Sequence, residues 1–120
     1  MKSPALIVSL STIFVVLIGT AGLVSRGAEP GAAGDPVKGK AIFTREKCNV
    51  CHRVNGSGGV LAPDLSAVGA RRSAAWLAKF LPNPTVLDPK NPPKVKMTPP
   101  NVKGQDLDDL IAYLLTLKGK

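Results

Sequence analysis

The sequence of 120 residues has few of the side chains that usually bind metals or fill a hydrophobic core. It contains one histidine and two cysteines, which excludes a structural zinc site, because such a site normally needs four Cys or His ligands. Three Phe, one Trp and one Tyr are the only aromatic residues. A globular part of roughly 85 residues is near the size at which a core alone is marginal. The composition therefore indicates that a large apolar cofactor completes the core.

Acidic side chains are also scarce. Eight Asp and Glu stand against sixteen Lys and Arg, which gives a net charge of +8. Without Lys2 and Arg26 the rest of the chain has 14 basic and 8 acidic side chains, a net charge of +6. This balance favours docking to acidic protein surfaces. Nucleic acid is not an expected partner, because no basic motif interleaved with aromatic residues is present.

Residues 1–26 are predicted to be an N-terminal membrane anchor or signal segment. Twenty residues from Ala5 to Val24 carry no charge, and a helix needs roughly 20 apolar residues to cross a membrane. We interpret residues 5–24 as a retained transmembrane anchor; the alternative is a signal peptide cleaved after Gly19-Thr20-Ala21. Neither cysteine lies near this segment, so lipid anchoring at a cysteine is excluded.

Either interpretation exports the rest of the chain. We expect a bacterial inner-membrane protein whose main domain faces the periplasm, or a soluble periplasmic protein after cleavage. Residues 27–35 are rich in Gly and Ala and are predicted to be a flexible tether. Residues 36–120 are the predicted functional domain.

Both cysteines and the only histidine lie in one pentapeptide, Cys48-Asn49-Val50-Cys51-His52. Cys-x-x-Cys-His is the signature of c-type haem attachment. Two thiols on one helical turn can add to the two vinyl groups of a porphyrin, and the imidazole of His52 can then bind the iron. A disulfide would close a very small loop, and a thioredoxin-like pair would need a βαβ unit, which is not visible. The motif therefore predicts one covalent haem c.

Met97 is the predicted sixth ligand of the iron. Met1 is the initiator, and there is no second histidine, so Met97 is the only candidate thioether; His and Met are a common pair of axial ligands. Met97 lies in a segment with seven prolines between Leu81 and Asn101, which predicts a stiff, extended loop. The alternatives are an open sixth position, Lys94 or Lys96 as the ligand, or Met97 as an ordinary core residue.

The remaining pattern predicts an all-α fold. Asp35 and Pro36 are a favourable N-cap and first residue for a helix, which we expect to present the cysteines at its C-terminal end. A middle helix is predicted at about 73–81, capped by Ser73. The last helix has apolar residues at helical spacing, namely Leu107, Leu110, Ile111, Leu114 and Leu115. Asp106, Asp108 and Asp109 in its first turns and Lys118 in its last complement the helix dipole. Residues 55–59, between the motif and these helices, are predicted to be a flexible loop.

These residues resemble the class I cytochrome c family over about residues 35–118. Gly39 and Phe43, in Gly-Lys-Ala-Ile-Phe, are similar to the glycine and aromatic of that family's N-terminal helix. Leu110 and Tyr113 resemble the partners on its C-terminal helix. The resemblance implies a cytochrome c-like fold of three to four helices around a covalent haem, in which the two terminal helices cross at the glycine.

The segment Leu61-Ala62-Pro63-Asp64-Leu65 resembles the proline segment of the same family. The resemblance implies that the carbonyl of Pro63 accepts a hydrogen bond from Nδ1 of His52, and that Leu65 packs on the haem face. Arg71, Arg72 and Trp76 are either contacts of the haem propionates or part of a solvated basic surface.

With His52 and Met97 on both sides of the iron, we expect an electron-transfer protein, not an enzyme, with no small-molecule substrate. It would pass electrons between membrane complexes, for example from a quinol-oxidising complex to a terminal oxidase, reductase or photosynthetic centre. The alternatives are a haem sensor or peroxidase-like enzyme with a labile Met97, or a fixed subunit of a respiratory complex. Four lysines near Met97 are predicted to dock an acidic redox partner or to serve only solubility: Lys90, Lys94, Lys96 and Lys103.

Overall fold

The computed structural model describes residues 30–31, 33–85, 89–90 and 92–120. These residues form five helices and one two-stranded ladder: α1 (Pro36–Arg45), α2 (Cys48–Cys51), β1 (Arg53–Val54), β2 (Ser57–Gly58), α3 (Val68–Arg71), α4 (Ala74–Phe80) and α5 (Gln105–Thr116). The predicted anchor, residues 1–26, lies outside the described residues. Among the helices that are described, none is both long and apolar enough to cross a membrane.

Helix α1 begins as predicted and ends earlier than predicted. The carboxylate of Asp35 accepts hydrogen bonds from the N–H groups of Val37 and Lys38, and Pro36 follows in the first helical position. The helix stops at Arg45, because Lys47 adopts a left-handed conformation with φ 58°. The cysteines therefore lie on a separate one-turn helix, α2, and the prediction that α1 itself delivers them is wrong. The left-handed residue lets the chain change direction between the two helices.

The terminal helices α1 and α5 cross at Gly39. A Cβ atom at this position would collide with the backbone carbonyl oxygen of Asp109 and lie 2.7 Å from Cβ of Tyr113, so the crossing requires a residue without a side chain. The rings of Phe43 and Tyr113 pack edge-to-face beside it, with centroids 5.4 Å apart. The buried apolar core around this crossing consists of Ile42, Phe43, Val68, Leu77, Leu81, Val102, Leu110, Ile111, Leu114 and Leu117.

A short antiparallel ladder, β1 with β2, corrects the all-α prediction. Arg53 pairs with Gly58 and Val54 with Ser57. Asn55 and Gly56 connect the strands with φ values of 50° and 82°, the positive pair that a two-residue hairpin of type I′ requires. The predicted flexible loop at 55–59 is therefore a tight turn. Each strand has only two residues, so the fold remains mostly helical.

The middle and last helices agree with the periodicity of the sequence, with two differences. Ser73 caps α4 through its hydroxyl, which accepts the N–H of Trp76. Helix α5 ends at Thr116, so Lys118 lies beyond it, where its ammonium donates to the carbonyl of Gly69 at 2.7 Å. Asp109 is only 2% exposed; it accepts the N–H of Asp35 at 2.7 Å and an N–H of the Gln105 amide at 2.8 Å. The pattern of charges did not indicate this buried carboxylate.

The residues just before α1 pack on α5. The N–H of Gly31 donates to the carboxylate of Asp108, and Gly31 itself is buried against Ile111. Gly34 lies so close to α5 that a Cβ there would collide with the carbonyl of Asp108. The described part of the predicted tether, residues 30–31 and 33–35, is therefore in contact with α5 and is not a free linker.

Candidate haem site

Helix α2 places the two cysteines and the histidine on one turn. Cys48 and Cys51 are its first and last residues, and the N–H of His52 closes the turn by donating to the carbonyl of Cys48 at 2.9 Å. Two glycines of the hairpin allow the backbone to lie directly against this turn. A Cβ at Gly58 would collide with the carbonyl of His52, and one at Gly59 with the carbonyl of Val50. The hairpin thus packs directly against the α2 turn and supports it, a role that the sequence did not predict.

The side chain of His52 has a defined tautomer. Its Nδ1 lies 2.8 Å from the carbonyl oxygen of Pro63, and a carbonyl can only accept, so Nδ1 carries the proton. In the neutral ring Nε2 is then the nitrogen with a free lone pair, which is the form that binds a metal. A hydrogen bond of this kind also makes the imidazole a stronger ligand.

Backbone and side-chain hydrogen bonds hold the Pro63 segment in place. The N–H of Ala62 donates to Cys51 at 3.0 Å and that of Leu65 to Arg53 at 2.9 Å. The guanidinium of Arg71 donates to the carbonyl of Asp64 at 3.0 Å. The hydroxyl and the N–H of Ser66 lower the pKa of the Asp64 carboxyl. These contacts fix the carbonyl that orients His52, and Arg71 takes part in them.

A cavity of about 1080 Å³ opens beside α2. Its wall is formed by α2, the Pro63 segment, α4 and residues 92–101. All six residues predicted as the site lie on this wall: Cys48, Cys51, His52, Pro63, Leu65 and Met97. Leu65 and Met97 are half-buried and pack against the hydrophobic core. The structure therefore brings together residues that are up to 49 positions apart in the chain.

Arg71, Arg72 and Trp76, for which the sequence predicts either propionate contacts or a solvated basic surface, also lie on this wall. The guanidinium of Arg72 lies 4.3 Å from the ring centroid of Trp76, and the ring of Trp76 stacks on that of Phe80 with centroids 4.6 Å apart. Arg71, Arg72, Trp76 and Phe80 all line the cavity. Trp76 and Phe80 are four residues apart on α4 and so share one face of that helix, which was the available signal for Phe80; Arg72 lies before the helix, and no spacing pattern indicated its contact with Trp76.

The chemistry of the cavity fits a haem and not a reactive dithiol. The two cysteines are free, and burial, with a smaller effect of the Glu46 carboxylate, raises the pKa of the Cys48 thiol to about 11. A redox-active pair needs a thiolate at neutral pH, so the thioredoxin-like alternative does not fit. Two thiols, a neutral imidazole and a thioether around an apolar space are the groups that attach and ligate haem iron.

Comparison with known proteins also indicates a haem protein. The family model described as Cytochrome c matches residues 36–118. The chain belongs to the cytochrome c family. It is 30% identical to cytochrome c2 of Rhodomicrobium vannielii over 133 aligned positions, which cover 92% of this chain and all of the relative. It is 32% identical to cytochrome c-554(547) of Halothiobacillus neapolitanus over 92 positions, which cover 72% of this chain and all of the relative.

Membership of this family confirms the predicted cofactor and the coarse function. The cytochrome binds haem c covalently, and the motif Cys48-Asn49-Val50-Cys51-His52 occurs once. It is a monohaem electron-transfer protein that acts with redox protein partners. The crossing of α1 and α5 at Gly39, which the resemblance implied, is confirmed by the contacts of that residue.

Proposed function

We propose that this cytochrome shuttles single electrons between membrane redox complexes, for example from a quinol-oxidising complex to a terminal oxidase, a reductase or a photosynthetic centre. The observation that carries the proposal is the single cavity that has both cysteines, His52 and Met97 on its wall. When bound there, haem c supplies a reversible one-electron iron couple whose potential depends on its axial ligands and on burial of the site.

Each residue on the wall has a separate part in this proposal. Cys48 and Cys51 would form the thioether attachments, and Nε2 of His52 and the sulfur of Met97 would bind the iron. Pro63 fixes the tautomer of His52 through the 2.8 Å hydrogen bond, and Leu65 contributes an apolar contact on the same wall. If both His52 and Met97 bind the iron, no position on it would remain for a substrate. This is why we favour a carrier over an enzyme.

The surface next to Met97 is the proposed docking site for an acidic redox partner. Lys94 and Lys96 are exposed and lie on the cavity wall. Two apolar side chains on the same wall, Val50 and Val95, are 60% and 46% exposed. An apolar centre bordered by charged residues is the usual composition of a protein interface, and the positive sign selects an acidic surface.

We propose that the haem domain works on the periplasmic side of the inner membrane, as bacterial c-type cytochromes typically do. Residues 1–26 would direct its export, as a retained anchor through residues 5–24 or as a cleaved signal. Cell fractionation combined with the intact mass of the haem-bearing protein separates these cases. A membrane-bound protein of full mass supports the anchor, and a lighter periplasmic protein supports cleavage.

The ligand pair is tested by absorption and NMR spectra of the haem-bearing protein and of Met97→Ala. We expect the wild type to show the weak far-red absorption band of ferric haem with a methionine sulfur ligand. In the reduced state we expect the strongly upfield-shifted methyl signal of a coordinated methionine. Both signals should be absent in Met97→Ala. The variants Lys94→Ala and Lys96→Ala are the matched controls and should keep both signals.

The other possible outcomes favour other functions. If the wild type lacks the methionine signals and a lysine variant changes the spectrum, a lysine is the sixth ligand. If no side-chain variant changes the spectrum and the ferric wild type binds cyanide without delay, the sixth position is open. That result would contradict the carrier and favour the sensor or peroxidase-like enzyme.

A further inference from the structure

The segment that carries Met97 has very few fixed points. Residues 92–103 contain no helix or strand. Four of them are proline, namely Pro92, Pro93, Pro99 and Pro100, and proline has no N–H to donate. Within the described residues, the segment has one hydrogen bond to another part of the chain, which runs from the N–H of Asn101 to a carboxylate oxygen of Glu46 at 2.9 Å. Val102, which is buried in the core, is the neighbouring apolar contact.

Glu46 is well placed to hold this segment. It is the residue that follows α1, two positions before Cys48, and its side chain is 15% exposed. One carboxylate oxygen accepts the N–H of Asn101, and the other accepts Nε of Arg45 at 3.0 Å. Arg45 in turn donates to Asp106, in the first turn of α5, at 2.8 Å. The Asn101 N–H, followed by Arg45, holds the pKa of the Glu46 carboxyl below its usual range. The Glu46 carboxylate thus links the chain just before α2 to Asn101, near the end of the segment that carries Met97.

The chain between Asn101 and Met97 is stiff enough to transmit this contact. Two of the three intervening residues are Pro99 and Pro100, whose rings fix φ. Thr98 and Pro99 each precede a proline, which restricts them to extended conformations. A fixed position at Asn101 therefore limits the positions available to Met97. Pro99 and Pro100 have no N–H, so the Asn101 N–H is the next backbone donor after that of Thr98.

We propose that Glu46 is a positioning residue that holds Met97 at the haem by anchoring Asn101. This inference rests on the proposed ligation by Met97. Loss of the Glu46–Asn101 hydrogen bond should leave the haem attached through Cys48 and Cys51 and let Met97 leave the iron more often. A hydrogen bond to a charged group contributes about 1.5–3 kcal/mol, which corresponds to roughly a 10-fold to 100-fold increase in the open form.

The test measures how fast imidazole binds to the ferric haem of the full-length protein, because it can bind only when Met97 has left. For Glu46→Ala we expect binding roughly 10-fold to 100-fold faster than in the wild type, together with a weaker far-red methionine band. Glu46→Gln keeps an acceptor oxygen and should change the rate much less. Asn101→Pro removes the donor from the other side and should resemble Glu46→Ala, whereas Asn101→Ala keeps the N–H and should resemble the wild type.

Asp106→Asn is the control for a general loss of stability. It removes the negative charge that pairs with Arg45 on α5 and leaves the Glu46–Asn101 contact in place, so it should lower the unfolding midpoint without accelerating imidazole binding. Wild-type binding rates in Glu46→Ala, or equal acceleration in Asp106→Asn, would overturn the positioning role while Met97 remains the ligand. Absence of the methionine band in the wild type itself would overturn the ligation, and the role of Glu46 with it.

Discussion

At Gly39 one hydrogen atom in place of a methyl group allows α1 and α5 to touch through their backbones. The carbonyl of Asp109 occupies the space that a Cβ would need. A backbone carbonyl within a helix cannot move aside alone, so a larger residue would have to displace α5. Because Phe43 and Tyr113 pack at the same crossing, such a displacement would also disturb the adjoining core.

We predict that Gly39→Ala destabilises the protein. Alanine favours a helix by about 1 kcal/mol relative to glycine, but overpacking costs about 1–3 kcal/mol, and the rigid neighbour makes the upper part of that range the expected result. The free energy of unfolding in guanidinium chloride, measured on the haem-bearing protein, checks this. Lys40→Ala, at an exposed position of the same helix, should leave the stability nearly unchanged. Equal stability of Gly39→Ala and the wild type would show that the helices separate without cost.

Asp109 gives a prediction for pH. The N–H of Asp35, and after it the amide of Gln105, lower the pKa of this carboxyl below its ordinary value of 3.8. Its stabilising contribution is therefore complete above the unfolded pKa and is lost as the pH falls through the folded pKa. Unfolding measured from pH 5 down to about pH 2 should show a loss of stability below pH 4 that is smaller in Asp109→Asn. Asp108→Asn makes the same change of charge one position earlier and should lose stability at low pH to the same extent as the wild type.

Some elements of the fold could be predicted from local sequence and others could not. Helix α5 and the cap of α4 followed from local periodicity and from Ser73, because their apolar faces and capping contacts are set within a few residues. The Asn55-Gly56 pair is a recognised hairpin signal, but strands of two residues carry no alternating pattern. The break between α1 and α2 depends on Lys47 in a left-handed conformation, which lysine rarely adopts and which no local pattern indicated.

In the candidate site, too, some features could be predicted from the sequence and others could not. The motif predicted Cys48, Cys51 and His52 from spacing alone, and the count of possible ligands selected Met97. The Glu46–Asn101 contact joins residues 55 positions apart, and neither residue type is specific for such a role. The sequence could therefore indicate which residues line the cavity, whereas the contacts that join its wall to the rest of the chain required the tertiary structure.

The hairpin itself can be tested with two glycines. Gly56 has φ 82° and no atom near the position of a Cβ, whereas Gly58 has φ 108° and the carbonyl of His52 in that position. Gly56→Ala should cost about 1–2 kcal/mol of unfolding free energy, from backbone strain alone. Gly58→Ala should cost more and should also shift the NMR signal of the His52 Nδ1 proton. An unshifted signal in Gly58→Ala would show that the hairpin does not support the histidine.

The whole molecule is cationic, and the position of the charge can be separated from its amount. We predict that the double variant Lys94→Glu and Lys96→Glu slows electron transfer to an acidic redox protein and weakens the dependence of the rate on ionic strength. The matched control is Lys40→Glu with Lys120→Glu, which changes the net charge equally at exposed residues that do not line the cavity. Equal effects of the two pairs would mean that net charge, and not a docking surface, controls the rate.

The packing of the residues before α1 on α5 determines how a mechanical load would enter the molecule. A pull on the chain before Pro30 is first borne by the hydrogen bonds from Gly31 to Asp108 and from Asp35 to Asp109. None of these four residues lines the haem cavity. The load therefore reaches the last helix before it can reach the segments that carry His52 or Met97. If residues 5–24 are a retained anchor, force from the membrane would therefore act first on contacts outside the haem cavity.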